Sequence, residues 1–192
     1  FYPVASADSA GQELYWRGRP TGVLGDSQLD PNDLDAAIVA VPSSVSSSLI
    51  TALRDADVLV IDHSDSDDAQ PQLVWPSMNV DVLADHRGHL RIPGAITATL
   101  SPILVELAKT HTLSEIDVVA LHSAQSYGRV GAEALSSQTI GLLNKGLAEE
   151  GPFGEVLAFN MLAPGTTNKG PQNEAHVMSQ LQSLCNLKGT SI

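Results

Sequence analysis

Strand-length apolar runs and amphipathic stretches alternate along this chain. Residues 35–41 read DAAIVAV and residues 58–62 read VLVID, two runs of the length and composition of buried strands. Between them, SSVSSSLITALRDAD sets Val45, Leu49 and Leu53 at i, i+4 and i+8, one stripe of a helix. Strand, helix and strand in that order predict a βαβ unit, and nearly continuous apolar strands predict a parallel sheet covered on both faces. Ser43 and Ser44 stand at the predicted helix entry, where hydroxyls suit a cap. The following HSDSDDAQPQ is polar and rich in turn formers, a loop at the carboxyl end of the VLVID strand, where open α/β sheets take ligands. LVWPSMN then reads as an extended apolar element that Pro76 confines to an edge or a short bridge.

The second half opens on RIPGAITATLSPIL, a strand end, a Pro93-Gly94 turn, and a helix with Leu100, Ile103, Leu104 and Leu107 on one stripe. EIDVVAL at 115–121 predicts a strong strand. A long helix over 131–150 carries Leu135, Leu142, Leu143 and Leu147, VLAFNM predicts another strand, and a last helix holds Val177, Leu181 and Leu184. The turn at Pro93-Gly94 is the expected passage between two lobes, 1–94 and 95–192. Unpaired N–H groups and the positive end of a helix dipole meet at such an entry, so a thiolate or oxyanion there would be stabilised. Here the entry offers Ala95.

Composition narrows the classes. In 192 residues, 43% hydrophobic content can supply a core, and no run approaches the ~20 apolar residues of a membrane span. Ten basic against twenty-two acidic residues give a net charge of -12, which disfavours nucleic acid, and Arg17/Arg19 and Arg87/Arg91 are the only close basic pairs. One cysteine, Cys185, rules out an intrachain disulfide and fits a reducing compartment, with the cytoplasm expected; its place beside Leu181 and Leu184 makes it a packing residue. Phe1 rather than Met opens the chain and nothing reads as a signal peptide, so the start looks like an internal cut. His86 and His89 flank a turn, and His63 neighbours Asp65, Asp67 and Asp68 without the pattern of a calcium loop, so no metal site is expected. Neither G-x-S-x-G nor G-x-G-x-x-G occurs.

Segment order says more. VASADSAGQ resembles the LASxxSAGK segment of the aspartate-β-semialdehyde dehydrogenase family, and VLVIDHSDSDD…PQLVWPSMN resembles its VIDxSSxFR…PLVVPEVN. RIPGAITATLSPIL falls where that family has its NPxCSTxxLxxxLxPL nucleophile turn, LHSAQSYGRVGAEALSSQT is similar to TYQAVSGAGxxAxxELxxQ, and LAFNMLAP to xxFNxxP. The resemblance implies an α/β protein: a partial Rossmann-like NAD(P)-binding lobe over 1–94, entered at its second strand, and a mixed α/β catalytic and dimerisation lobe over 95–192. It implies that the Gly-rich turn lies before Phe1 and the acid/base histidine beyond Ile192. NADP or NAD is the cofactor it implies, met here by Ser6, Ser9, Gly11 and Ser43, and it implies a homodimer through the second lobe.

The departures carry the functional expectation. Ala95 stands where the resemblance places the nucleophilic cysteine, and a methyl group cannot form the thiohemiacetal that precedes hydride transfer. Ser123 stands at the position of the substrate-positioning glutamine. Asp68 replaces a phosphate-binding arginine, turning attraction into repulsion, and Asp8 replaces an arginine that often meets the 2′-phosphate of NADP. Loss of the nucleophile resembles the Usg-type paralogues of the family, which Tyr127 in SAQSYGRVG also suits. The expectation is a catalytically inactive homologue that binds a partner protein or a small ligand. The alternatives are an NADP-dependent oxidoreductase acting on the aldehyde of aspartate β-semialdehyde, its missing groups coming from absent segments, and a scaffold with no ligand.

Overall fold

A computed structural model describes residues 1–64, 72–144, 146–163 and 174–187. The chain divides into two units, one formed by Phe1–Ser66 with Asp85–Arg91 and the other by Asp67–Ala84 with Ile92–Ile192.

The first unit begins with β1 (Val4–Ala5), then β2 (Glu13–Trp16) and β3 (Arg19–Gly22), then β4 (Leu24–Gly25), which pairs in parallel with β1. The hairpin β2–β3 was not expected from the hydrophobic pattern. Its two-residue tip is Arg17-Gly18, both at positive φ (48° and 77°), the backbone of the tight turn whose twist matches paired strands. Trp16 beside the tip stacks on Phe1 at 4.1 Å and takes the Arg17 guanidinium over its ring.

The βαβ expectation holds. β5 (Ala36–Val39), α1 (Ser43–Asp55) and β6 (Leu59–Asp62) follow in order, and β7 (His89–Arg91) completes an all-parallel sheet ordered β5-β6-β7. The buried stripe of α1 differs from the expected one: Ser46, Ile50 and Leu53 face inward, while Val45 and Leu49 are exposed. Ile50 and Leu53 pack with Val39, Val58 and Val60 as the core, and the Ser46 hydroxyl is spent on the Ser43 carbonyl, so it enters the interior already bonded. Pro42 occupies the N-cap and no side chain caps the helix, so Ser43 and Ser44 do not act as caps.

In the second unit Pro76 starts a helix rather than limiting a strand: α2 (Pro76–Asn79) has its proline in the first turn, where a missing N–H costs nothing, and only Leu73 in the preceding stretch makes a bridge pairing. α3 (Ala95–Thr110) buries Thr97, Ser101 and Leu104, leaving Ile103 and Leu107 of the expected stripe exposed. α4 (Gly128–Leu143) stops well short of 150, capped at Asn144, with the Gly146 N–H bonded back to the Gly141 carbonyl. Gly131 is required on this helix, because a Cβ there would collide with the Ala124 carbonyl oxygen and stand 2.7 Å from Tyr127 Cβ. α5 (Glu174–Cys185) matches the expected last helix and packs on α3 through Leu104, Leu181, Cys185 and Leu187.

The strands expected at 115–121 and 156–161 do not form. Only Glu115 makes a bridge, and Asn160 closes a turn on Leu157 with Phe159 at φ 61°. A strand needs a neighbouring backbone, and beyond Glu115 none is paired with these stretches among the described residues. Val119 (91% exposed), Leu121 (77%) and Met161 (79%) consequently face solvent.

Candidate functional site

The entry of α3 is built as the sequence suggests. Pro93 and Gly94 are buried, Gly94 is the N-cap in an extended conformation, no side chain caps the helix, and Ala95 is exposed. The Gly94 carbonyl takes the first intrahelical bond, from Ala98 N–H at 2.9 Å. Its N–H is held from the other side by Gln180 Oε1 at 3.0 Å, and Gln180 Nε2 lies 2.7 Å from His176 Nε2 one helical turn away on α5. Thr97, in the first turn, is fully buried with its hydroxyl unpartnered, and Thr99 donates to the Ala95 carbonyl. The first turn of α3 therefore carries a positive helix end and a methyl group at the surface, with its nearest hydroxyls enclosed or engaged.

Ser123 is exposed at the start of a short 3-10 turn, Ala124–Tyr127, which leads into α4 through Gly128 at φ 67°. Its carbonyl accepts from the Ser126 hydroxyl at 2.9 Å. Further along α4, Gln138 is buried and saturated: Nε2 donates to the Glu149 and Glu150 carbonyls, and Oε1 accepts from Leu157 and Ala158 N–H. One side chain thus holds the returning loop, whose Phe153 makes an edge contact with Tyr127 at 5.2 Å.

In the first unit, Ser6, Ser9 and Gly11 come together on a single turn at the carboxyl end of β1. Ser9 and Ala10 N–H donate to the Ser6 carbonyl, and Gly11, at φ 81°, donates to Val23. Asp8 is exposed on the same turn. Ser43, also exposed, opens α1 just after β5, so each of these positions follows the carboxyl end of a parallel strand. Asp68, and the carboxylates near His63, lie outside the described residues.

His89, expected to flank a turn between extended segments, opens β7 directly after Gly88 at φ 76°. Its Nε2 stands 3.4 Å from Asp62 Oδ2, the imidazole 11% and the carboxylate 2% exposed. The pair is within ion-pair distance but lacks hydrogen-bond alignment at Nε2. Asp62 Oδ1 accepts from Ser64 N–H at 2.9 Å, while the buried Ser64 hydroxyl has no hydrogen-bond partner among the described residues. Burial pushes the His89 pKa below its ordinary value, outweighing Asp62, with Arg54 and Arg91 adding repulsion. Burial likewise pushes the Cys185 thiol up, against a weak bond to the Ser101 carbonyl. The signals that could have found these groups were slight: the i, i+4 spacing of His176 and Gln180, and an aspartate closing an apolar strand. Among the described residues no three His, Cys, Asp or Glu side chains gather as a metal site, and no helix is long and apolar enough to cross a membrane.

No protein-family model matches the chain. It is 32% identical over 165 residues to a USG-1 protein homolog of Pseudomonas aeruginosa, a match covering 83% of this chain and 48% of that protein. It is 26% identical over 163 residues to aspartate-semialdehyde dehydrogenase 2 of Vibrio cholerae, covering 83% and 48% respectively. The chain thus spans about half the length of the curated relatives it matches. Among solved structures, a probable aspartate-semialdehyde dehydrogenase from Pseudomonas aeruginosa superposes with a TM-score of 0.84 at 27% identity, over 99% of this chain and 58% of that one. Aspartate semialdehyde dehydrogenase II from Vibrio cholerae, solved in complex with ASA, superposes at 0.86 with 23% identity over 99% and 59%, a likeness of fold. Sequence and fold agree that this chain belongs to the family of aspartate-semialdehyde dehydrogenases and their USG-1 homologues.

Proposed function

We propose that the protein is a catalytically inactive member of this family that retains the fold and works by binding a small ligand or a partner protein. The observation that carries the reading is Ala95, exposed at the uncapped start of α3, the place where the resemblance puts the nucleophile. No thiol is within reach on this helix: the only cysteine, Cys185, is buried at the far end of α5 with its thiol pKa raised. Ser123 supplies a hydroxyl where the resemblance calls for the longer glutamine, and Asp68 a carboxylate where it calls for a cation.

A nicotinamide dinucleotide is the cofactor this reading considers. The turn bearing Ser6, Ser9 and Gly11 offers hydroxyls and a close backbone approach, and Ser43 opens a second such edge. Exposed Asp8 on that turn repels a 2′-phosphate but can accept a ribose 2′-hydroxyl, so the residues fit NAD better than NADP. In this reading residues 1–94 form the nucleotide-binding part and 95–192 the part that dimerises. The apolar side chains exposed at Val119, Leu121, Leu147 and Met161 support a second unit that is covered in the working assembly. Sedimentation at micromolar concentration is expected to give a dimer.

The test is rescue. The intact gene product carrying Ala95→Cys, given NADP, aspartate β-semialdehyde and phosphate, is expected to reduce no more cofactor than the unaltered protein, because groups that act as a unit return little when one is restored. An enzyme-dependent rate from this single change would favour the oxidoreductase reading and end the inactive one. Thermal shifts with NAD and NADP then separate cofactor binding from its absence, since a ligand bound only by the native state raises its stability.

A further inference from the structure

The α3 entry is held by a chain of two side chains whose chemistry allows one arrangement. Gly94 N–H is a donor, so the Gln180 atom facing it at 3.0 Å must be the carbonyl oxygen. That assignment leaves the Gln180 amide nitrogen, always a donor, 2.7 Å from His176 Nε2. Two nitrogens at that distance need one hydrogen between them, so His176 Nε2 must be the unprotonated acceptor, with the ring proton on Nδ1. We infer that His176 and Gln180 are positioning residues for the α3 entry, and that protonation of His176 breaks the Gln180 bond and releases the turn that presents Ala95. The inference concerns the geometry of the entry and stands whether or not the site is catalytic.

An imidazolium would set N–H against N–H₂. Gln180 relieves the clash by reversing its amide: its oxygen then accepts a stronger, charge-assisted bond from the imidazolium while its NH₂ meets the Gly94 N–H, so the Gly94 bond is the one lost. The stretch whose Leu113 and Ile116 join the α3–α5 cluster carries His111, Glu115 and Asp117. His176 lies in the first turn of α5, at the positive end of the helix dipole. Glu174, in the same turn, is the one acidic residue on α5. From α3, the element packed against α5, the residues from Ala95 to Ser101 include no ionisable side chain; Glu106 and Lys109 follow farther along, exposed and paired with each other at 2.6 Å. α2, packed on α3, carries none.

The experiment follows the Gly94 amide and the His176 ring in the ¹⁵N-labelled protein. Long-range ¹H–¹⁵N spectra at pH 8 are expected to show His176 unprotonated at Nε2. Exchange of the Gly94 amide, corrected for its intrinsic pH dependence, is expected to lose about tenfold in protection as His176 titrates, the loss of one hydrogen bond. Gln180→Glu discriminates: a carboxylate accepts from Gly94 N–H and from an imidazolium alike, so this variant is expected to keep Gly94 protected at low pH and to titrate His176 at higher pH. His176→Asn, whose side-chain oxygen does not titrate, is expected to remove the pH dependence. A native ring protonated at Nε2, or Gly94 protection that does not change through the His176 titration, would overturn the inference using the unaltered protein alone.

Discussion

Replacing Gln138 by leucine tests whether one buried amide holds the loop that follows α4. The leucine is close in volume and would occupy the same 2%-exposed position, so packing changes little. What is removed is four hydrogen bonds: to the Glu149 and Glu150 carbonyls at 2.8 and 3.1 Å, and from Leu157 and Ala158 N–H at 3.0 and 3.1 Å. A net contribution of about 1 kcal/mol per bond gives ~4 kcal/mol, and partial rehydration of the freed groups on the more open side reduces this to about 3 kcal/mol. That is a large share of a stability of about 5–15 kcal/mol. Urea unfolding followed by far-ultraviolet circular dichroism reads the change as a lower midpoint at constant slope, and exchange of the Leu157 and Ala158 amides reads it locally. Gln138→Glu sharpens the case. Its carboxylate still accepts from the two N–H groups but faces the two carbonyls without a donor, so its native pKa should rise. The stability this group contributes is then present below its unfolded pKa and lost as pH rises through the native one. A Gln138→Leu protein within 0.5 kcal/mol of the parent would refute the claim that this side chain anchors the loop.

Gly131→Ala should cost several kcal/mol, because the added methyl meets the Ala124 carbonyl oxygen and Tyr127 Cβ rather than a flexible side-chain tip; a melting temperature unchanged within a degree would contradict the packing. His89 has its native pKa depressed from 6.5, so the unfolded chain binds a proton more readily, and its contribution is fully present above 6.5 and lost as pH falls through the native value. His89→Leu should flatten the stability profile over that window, and an unchanged slope would assign the pH dependence elsewhere. Buried Cys185, its thiol pushed up by burial, should resist an aromatic disulfide reagent in the native protein and react at the rate of unfolding; prompt labelling would show the α3–α5 packing to be open.

Local pattern alone determined much of this protein. The runs at β5 and β6 with a helix between them specify a parallel βαβ unit because strand and helix periods are properties of neighbouring residues. Pro93-Gly94 likewise marks the α3 entry, so the position of Ala95 is legible in the sequence. Which stripe of a helix faces inward is not. Val45-Leu49-Leu53 and Ser46-Ile50-Leu53 both satisfy helical spacing, and the surface formed by Val39, Val58 and Val60 decides between them. The segment 115–121 has the composition of a strand, yet strand structure requires a second backbone that no local pattern supplies. Gln180 on Gly94, Gln138 on residues 149–158, and His89 beside Asp62 escaped the sequence for the same reason. Each joins groups well separated along the chain, and a side chain's partner is fixed by where the fold brings it, with burial making that partner obligatory.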